Sequence, residues 1–340
     1  MVGIVDYGFY IPKYRIKIAE IANQWEKCAD KIERSLRMEE KAVAGRDEDM
    51  MTMAYEASVM ALKSQSKIRK EIGAVFIGSE TFPYAVKPIS TSVAEWLDLG
   101  HDYLAYDTQF ACKAGTGALI SASALVASGD VSHALVCASD KANAKPKDTL
   151  EYSAGSGANA WLLGTDNVIL ELLGWHSYSS DTPDFWRRSK AEYPSHAGRF
   201  TGSPAYFKHI MEAATALMKK QQITALDVQH AVFHMPNGTF PLKVAHKLGF
   251  TREQVGHSYV VPQLGNSYSA SALMGLVATL EYAKKDELIF FASYGSGAGS
   301  DAMLFRVTDK LEERRKSFEK VIADKVYITY GEYMKYMNII

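Results

Sequence analysis

Apolar residues in the first half of the chain fall into runs that predict alternating strands and helices. A strand is predicted over residues 2–11, and buried strands are predicted over 74–80 and 133–140 because each is a short apolar run bounded by polar residues. The apolar residues of 50–64 recur at helical spacing, and a further helix is predicted over 88–97. This alternation is typical of an α/β fold.

Residues 113–128 form an almost unbroken run of Ala, Gly, Ser, Leu, Ile and Val with no charge after Lys113. The pattern predicts a helix that is buried on most of its faces. Cys112 lies at or just before its first turn, where free backbone N–H groups and the positive end of the helix dipole favour a thiolate and can bind a developing oxyanion. The alternative is an inert core cysteine, which the apolar setting alone favours.

The second half of the chain repeats this order of elements. A helix is predicted over 203–221, followed by a strand at 230–236 and a helix at 239–248. The turn 265–271, GNSYSAS, then begins a second helix of small residues, which is followed by an apolar strand over 288–295. The repeated order suggests that one βα unit has been duplicated.

The intervals between corresponding positions support the duplication. Val75 and Cys112 are 37 residues apart, and Val232 and Asn266 are 34 residues apart. In open α/β sheets, residues at the carboxyl ends of the strands face one crevice. We therefore expect two similar halves, residues 1–165 with the cysteine and 166–340 with a histidine and an asparagine. The side chains expected to meet in the crevice are Glu80, Cys112, His234 and Asn266.

Composition limits the classes of function. The 340 residues are 47% hydrophobic and carry a formal net charge of -1, so we expect a folded protein with no nucleic-acid partner. We also expect a cytoplasmic protein that does not enter a membrane, because the N-terminus lacks a signal-peptide pattern and the apolar runs are short or rich in small residues. The three cysteines show neither a disulfide framework nor metal-ligand spacing, so no metal is expected.

Each candidate residue also has an explanation without catalysis. Glu80 can cap the next helix, His234 can be a hydrogen-bonded core histidine, and Asn266 can be a helix cap. The glycine-rich segment 293–304 can be an ordinary tight turn, although its backbone donors can also bind an oxyanion. In equivalent positions around Cys112, these residues together indicate a nucleophile with acid and base partners.

These motifs resemble the thiolase superfamily. The doubled topology, the helix headed by Cys112, the GNSYSAS turn and the GSGAGS loop are those of a thiolase-like fold with αβαβα layers. The set Glu80, Cys112 and His234 is similar to the archaeal-type hydroxymethylglutaryl-CoA synthase family. The resemblance implies a homodimer that condenses acetyl-CoA with acetoacetyl-CoA through an acetyl-cysteine, for the mevalonate pathway of isoprenoid synthesis. These CoA thioesters are substrates, and no cofactor is expected.

The resemblance also assigns roles to further residues. Glu80 is implied to remove a proton from the acetyl methyl group, and His234 to protonate or hydrogen-bond the new alkoxide. Residues implied to bind the acyl part of the substrate are Ala29, Ser153, Thr201, Asn266 and Ser296. Residues implied to face the phosphates of CoA are Arg199 and Lys243. Thr239 departs from the family pattern, because relatives often have a lysine there.

The archaeal-type resemblance implies two protein partners as well, an acetoacetyl-CoA thiolase and a small OB-fold zinc-binding protein. Two other functions stay open from the sequence. A ketoacyl synthase III also uses Cys, His and Asn, but it forms its carbanion by decarboxylation and needs no carboxylate such as Glu80. A thiolase-fold scaffold without catalysis is the second alternative.

Overall fold

The structure of the chain is a computed structural model that describes residues 1–339. The apolar runs form strands, which are β1 Gly3–Tyr10, β2 Tyr14–Lys17, β3 Glu40–Val43, β4 Ile72–Gly78, β5 Leu104–Thr108, β6 His133–Lys141, β7 Ser156–Gly164, β8 Leu170–Ser179, β9 Phe185–Trp186, β10 Ser195–His196, β11 His230–Phe233, β12 Leu288–Ala292, β13 Gly299–Val307 and β14 Val326–Tyr327. The segments of helical spacing form helices, which are α1 Ile18–Gln24, α2 Ala29–Leu36, α3 Met50–Leu62, α4 Ile89–Trp96, α5 Ala114–Ser128, α6 Phe207–Gln221, α7 Phe240–Lys247, α8 Arg252–Gly256, α9 Val261–Leu264, α10 Ser271–Leu280, α11 Leu311–Arg314, α12 Phe318–Ala323 and α13 Tyr330–Tyr336.

Nine of these strands form one mixed sheet in the order β11-β12-β13-β8-β1-β7-β6-β4-β5. From the junction between β1 and β8, the first half runs β1-β7-β6-β4 and the second half runs β8-β13-β12-β11. In the first half β4 is parallel to β6, and β6 is antiparallel to β7. In the second half β11 is parallel to β12, and β12 is antiparallel to β13. The order of strands is therefore repeated, and the predicted boundary between residues 165 and 166 falls between β7 and β8.

Three apolar clusters define the layers. The central cluster contains residues of α5 and α10 together with residues of β1, β7 and β13. A second cluster packs α3 and α4 on the outer side of the first half, and a third packs α6 and α7 on the outer side of the second half. The two halves of the nine-stranded sheet thus form two separate layers. The full order of layers is helix, sheet, helix, sheet and helix, as expected.

The segment 111–128, which includes α5, is apolar and long enough to cross a membrane, but it lies in this central layer with 56% of its residues buried. Its small side chains explain this position, because they allow close packing against strands on both sides. A helix that is apolar on all faces is expected in the interior of a protein.

The structure differs from the sequence-based expectation near both ends of the chain. The charged segment 27–47 contains the strand β3 after its helix, and β3 joins β2 and β14 in a small sheet. β14 pairs with β2 in parallel, which brings the C-terminal residues back to the N-terminal region. In the middle of the chain, β8 extends to Ser179, and β9 pairs with β10.

Candidate active site

Cys112 lies two residues before the start of α5, and its side chain is buried. α5 begins directly against the end of β4. A Cβ atom on Gly78 would lie 2.4 Å from the backbone nitrogen of Gly115, so this approach requires glycine. The contact brings the residues that follow β4 next to Cys112.

Glu80 follows β4, and its carboxyl group is close enough to the Cys112 thiol to share a hydrogen bond with it. Burial and the charge of Asp140 raise the pKa of Glu80 to about 8. Burial and the charge of Glu80 raise the pKa of Cys112 well above its ordinary value. The expectation that the helix start favours a thiolate is therefore wrong, because burial beside carboxylates outweighs the helix dipole.

Asp140 is a fully buried carboxylate at the end of β6, which the sequence pattern does not distinguish from an ordinary strand end. Its Oδ1 accepts hydrogen bonds from the Glu80 backbone N–H at 2.8 Å and from the hydroxyls of Ser79 and Thr81 at 2.7 Å. Its Oδ2 accepts from the backbone N–H of Ser269 at 2.8 Å and from its hydroxyl at 2.5 Å. These bonds fix the backbone of Glu80 and connect the two halves.

His234 directly follows β11, and its imidazole is buried. Burial lowers its pKa to about 3, so the ring is neutral at physiological pH. Its backbone N–H donates to the carbonyl of Ala292, and its carbonyl accepts from the Tyr206 hydroxyl at 2.7 Å. The Nδ1 atom has no hydrogen-bond partner among residues 1–339. A fixed, neutral imidazole of this kind can bind an oxygen atom of a substrate.

Tyr294 lies beside His234, although the sequence gives no signal for it beyond its place in the glycine-rich segment. Its ring centroid lies 6.4 Å from that of His234. Burial, followed by the hydrogen bond to Asp184 and the charge of Asp184, raises the pKa of Tyr294. Its hydroxyl donates to Oδ2 of the buried Asp184 at 2.7 Å, and Oδ1 of Asp184 accepts from the Gly297 backbone N–H. Asp184 thus anchors the glycine-rich segment.

Two of the predicted acyl-binding residues lie beside Tyr294 and Asp184. The Thr201 hydroxyl donates to the backbone carbonyl of Asp184 at 3.1 Å. Ser296 is close enough to Tyr294 to share a hydrogen bond with its hydroxyl. Thr201 and Ser296, which are far apart in the sequence, are therefore connected through Tyr294 and Asp184.

Ser153 and Asn266 are held together by their backbones. The Asn266 N–H donates to the Ser153 carbonyl at 2.7 Å, and the Gly155 N–H donates to the Asn266 carbonyl at 3.0 Å. The Asn266 side-chain oxygen accepts from the backbone N–H of Tyr268. Ala154, between these pairs, packs in one apolar cluster with Cys112 and Tyr268. Ser153 precedes Ala154 and Asn266 pairs with it, so both lie next to a residue that packs in one cluster with Cys112.

The other predicted binding residues are less closely connected to Cys112. Ala29 begins α2 and packs, partly buried, against the cluster that contains Tyr152 and Met235. Arg199 and Lys243 are exposed, and neither forms a salt bridge within the part of the chain that the structure describes. Free, exposed cations are available to a mobile polyanion such as the phosphates of CoA.

A cavity of about 230 Å³ opens beside Glu80. Its wall includes Ala111, Tyr268 and the exposed side chain of Arg187, whose guanidinium donates to the Glu80 carbonyl at 3.0 Å. Among residues 1–339, no group of three His, Cys, Asp or Glu side chains has the geometry of a metal site. Cys112, Glu80 and His234 offer this site a thiol, a carboxyl group and an imidazole.

The layered fold and a buried cysteine in contact with a carboxylate at the start of a central helix define a condensing enzyme of the thiolase-like class. Residues 106–179 match the family model described as 3-oxoacyl-[acyl-carrier-protein (ACP)] synthase III, and residues 218–307 match the model of its C-terminal part. The chain is 48% identical to the hydroxymethylglutaryl-CoA synthase of Archaeoglobus fulgidus, over 99% of this chain and 98% of the relative. The chain belongs to the hydroxymethylglutaryl-CoA synthase family.

Further comparisons agree with this assignment. The hydroxymethylglutaryl-CoA synthase of Methanopyrus kandleri is 48% identical, over 98% of this chain and 96% of the relative. The solved structure of MvaS in complex with 3-hydroxy-3-methylglutaryl coenzyme A has a TM-score of 0.91 and 25% identity, with 99% of this chain and 91% of that chain covered. The predicted thiolase-like fold is confirmed by this similarity.

Proposed function

We propose that this enzyme condenses acetyl-CoA with acetoacetyl-CoA and water to give 3-hydroxy-3-methylglutaryl-CoA and free CoA, a step of the mevalonate pathway. The observation that carries the proposal is the contact between the Cys112 thiol and the Glu80 carboxyl group. A thioester enzyme that removes a proton from an acetyl methyl group needs both a nucleophile and an adjacent carboxylate base. Membership of the family supports the same reaction.

The first step is acetyl transfer. The Cys112 sulfur attacks the acetyl carbon of acetyl-CoA, the bond between that carbon and the CoA sulfur breaks, and the thiol proton ends on the CoA sulfur. Because the pKa of Cys112 is raised, the thiol loses its proton only as the sulfur attacks.

The second step forms the carbon–carbon bond. Glu80 removes a proton from the methyl group of acetyl-Cys112, and the enolate carbon attacks the ketone carbon of acetoacetyl-CoA. The methyl proton held by Glu80 passes to the new alkoxide, which restores the carboxylate, and the neutral His234 binds that oxygen through a ring N–H. Oε1 of Glu80 is buried and accepts no hydrogen bond from the described residues, so it is free to receive the methyl proton.

The last step is hydrolysis. Water adds its hydroxyl to the acyl carbon, the bond to Cys112 breaks, and the second water proton returns to the sulfur. In this scheme Ser153, Asn266, Thr201 and Ser296 bind acyl groups and Ala29 lines their pocket. Arg199 and Lys243 bind CoA phosphates by charge.

The direct test is intact-protein mass spectrometry. Wild-type protein mixed with acetyl-CoA should gain the mass of one acetyl group, and acetoacetyl-CoA should then remove this mass while 3-hydroxy-3-methylglutaryl-CoA appears. Release of carbon dioxide from a malonyl-thioester, without reaction of acetoacetyl-CoA, would instead indicate a ketoacyl synthase III. If no thioester labels Cys112, both enzyme functions are excluded, and the thiolase-fold scaffold without catalysis is the function that remains.

We also propose that the enzyme is a homodimer formed through β5. β5 is an edge strand of the nine-stranded sheet, and Trp96, Leu104 and Phe110 expose apolar surface on it or beside it. An unpaired strand edge with exposed apolar side chains favours pairing with a second copy. Analytical ultracentrifugation should find a dimer, and Leu104→Lys should shift it toward the monomer.

The archaeal-type resemblance alone supports the remaining proposals. The enzyme works in the cytoplasm and assembles with an acetoacetyl-CoA thiolase and a small OB-fold zinc-binding protein. Size-exclusion chromatography of the three purified proteins is the test. Separate elution of all three components at micromolar concentration would refute the complex.

A further inference from the structure

The C-terminal helix α13 makes a direct hydrogen bond to the loop between β6 and β7. The Tyr330 hydroxyl donates to Oε1 of Glu151 at 2.7 Å, and both side chains are buried. Oε2 of Glu151 accepts from the indole N–H of Trp25 at 2.9 Å and from the backbone N–H of Lys147 at 2.7 Å. One buried carboxylate therefore ties together the loop, α13 and the end of α1.

Lys41 strengthens the same connection from β3. Its side chain is fully buried, and its ammonium group donates to the backbone carbonyl of Glu151 and to the Tyr333 hydroxyl. Its Cβ atom also packs against Gly265, where an added Cβ would lie 2.8 Å from Lys41 Cβ and 2.8 Å from the Ser153 carbonyl. The loop that contains Glu151 and the turn that contains Gly265 thus both contact Lys41.

The residues next to these two anchors flank Ala154, which packs in one cluster with Cys112. Ser153 follows Glu151 by two positions, and Asn266 follows Gly265 directly. Their backbones are paired by the hydrogen bond from the Asn266 N–H to the Ser153 carbonyl. A shift of the Glu151 loop therefore moves Ser153 and Asn266 together relative to Cys112.

We infer that Glu151 is a positioning residue through which the C-terminal helix, by way of Tyr330, holds Ser153 and Asn266 in register with the acyl group on Cys112. Glu151 touches no substrate in this scheme and acts only through its neighbours. The inference rests on the proposed function, because it takes Ser153 and Asn266 as acyl-binding residues. A misplaced binding group raises KM for its substrate more than it affects global stability.

The test compares Tyr330→Phe with Tyr336→Phe. Both changes remove one hydroxyl from α13, but only Tyr330 bonds to Glu151, since Tyr336 lies against Tyr14. Tyr330→Phe should make hydrogen exchange of the backbone amides at 153–155 about tenfold faster and should lower kcat/KM for acetoacetyl-CoA about tenfold, mainly through KM. Trp25→Phe removes another donor to the same carboxylate and should give the same result.

Unchanged exchange at 153–155 in both Tyr330→Phe and Trp25→Phe would overturn the inference. A lower Tm and a smaller active fraction with unchanged KM would overturn it too, because that result shows a structural role only. Exchange is measured without substrate, so it gives an answer whether or not the chain condenses acetoacetyl-CoA. Failure of the proposed function would instead appear in the wild-type protein, as absence of acetyl-Cys112 or of product.

Discussion

The contact between Cys112 and Glu80 acts on their two pKa values in opposite directions. The carboxylate raises the pKa of the thiol, whereas the thiol lowers that of the carboxyl group. Burial is the larger effect on each, and it raises both pKa values. The thiol therefore keeps its proton at neutral pH, and the Glu80 carboxyl group is mostly protonated below its pKa of about 8. This arrangement keeps one base beside the nucleophile and, after acetylation, beside the methyl group that must lose a proton.

Cys112→Ala should abolish acetylation, because the thiol is the only atom of the site that can form the thioester. Intact-protein mass spectrometry after addition of acetyl-CoA is the measurement. Cys28→Ala is the matched control, since Cys28 is a free cysteine at the surface. Acetyl label retained in Cys112→Ala and lost in Cys28→Ala would contradict the assignment.

Glu80→Gln should separate the two chemical steps. Gln has nearly the same shape but cannot remove a methyl proton, so condensation should fall about 10³-fold while Cys112 still accepts an acetyl group. Rapid-quench measurement of acetylation and a steady-state assay of the product give the two rates. Glu95→Gln, an exposed residue of α4, serves as the control. An equal loss of both steps would count against Glu80 as the base for the methyl proton.

The rate of condensation should depend on pH through Glu80. The raised pKa of about 8 means that the ionised base is the minor form below that value, so the rate should rise as pH increases and level off above about 8. The measurement is the pH profile of kcat/KM for wild-type protein, with Glu80→Gln as the control that should lack this rise. A wild-type profile that stays flat through this range would be incompatible with the role.

The same shift predicts how stability depends on pH. The carboxyl group has an ordinary pKa of 4.5 and a folded value of about 8, so between these values the folded chain binds more protons than the unfolded chain. The contribution of Glu80 is therefore fully present below 4.5 and is lost as pH rises to about 8, at no more than about 1.4 kcal/mol per pH unit. Denaturant unfolding should show Glu80→Gln gaining stability relative to wild type as pH rises, and a constant difference would exclude the shift.

Asp140→Asn should damage both stability and condensation. An amide cannot accept all five hydrogen bonds that Asp140 receives, so the free energy of unfolding should fall by about 2–4 kcal/mol. The loosened Glu80 backbone should lower condensation about 10²-fold. Chemical denaturation and product assays measure these effects, with the exposed Asp130→Asn as the matched control. If Asp140→Asn condenses its substrates at the wild-type rate, other contacts hold Glu80 in place.

The hydrophobic pattern was sufficient for much of the fold. It predicted β1, β4 and β6, the helices on either side of them and the buried α5, because strand and helix periodicities are local properties of the chain. It missed β3 and β14 near the chain ends, since short strands in a small sheet depend on partners far away in the sequence. The predicted domain boundary and the roles of the site residues remain predictions.

For the site, the sequence by itself predicted which residues carry the chemistry: a cysteine at the start of a buried helix and a glutamate after a buried strand. Only the tertiary structure decided their charge states, because the pKa of Cys112 depends on burial and on the carboxylates around it rather than on its place in the helix. The tertiary structure also supplied Asp140, Asp184 and Tyr294, whose hydrogen-bond partners lie up to 129 positions away in the sequence. Periodicity describes neighbours along the chain, whereas desolvation and hydrogen bonding depend on neighbours in space.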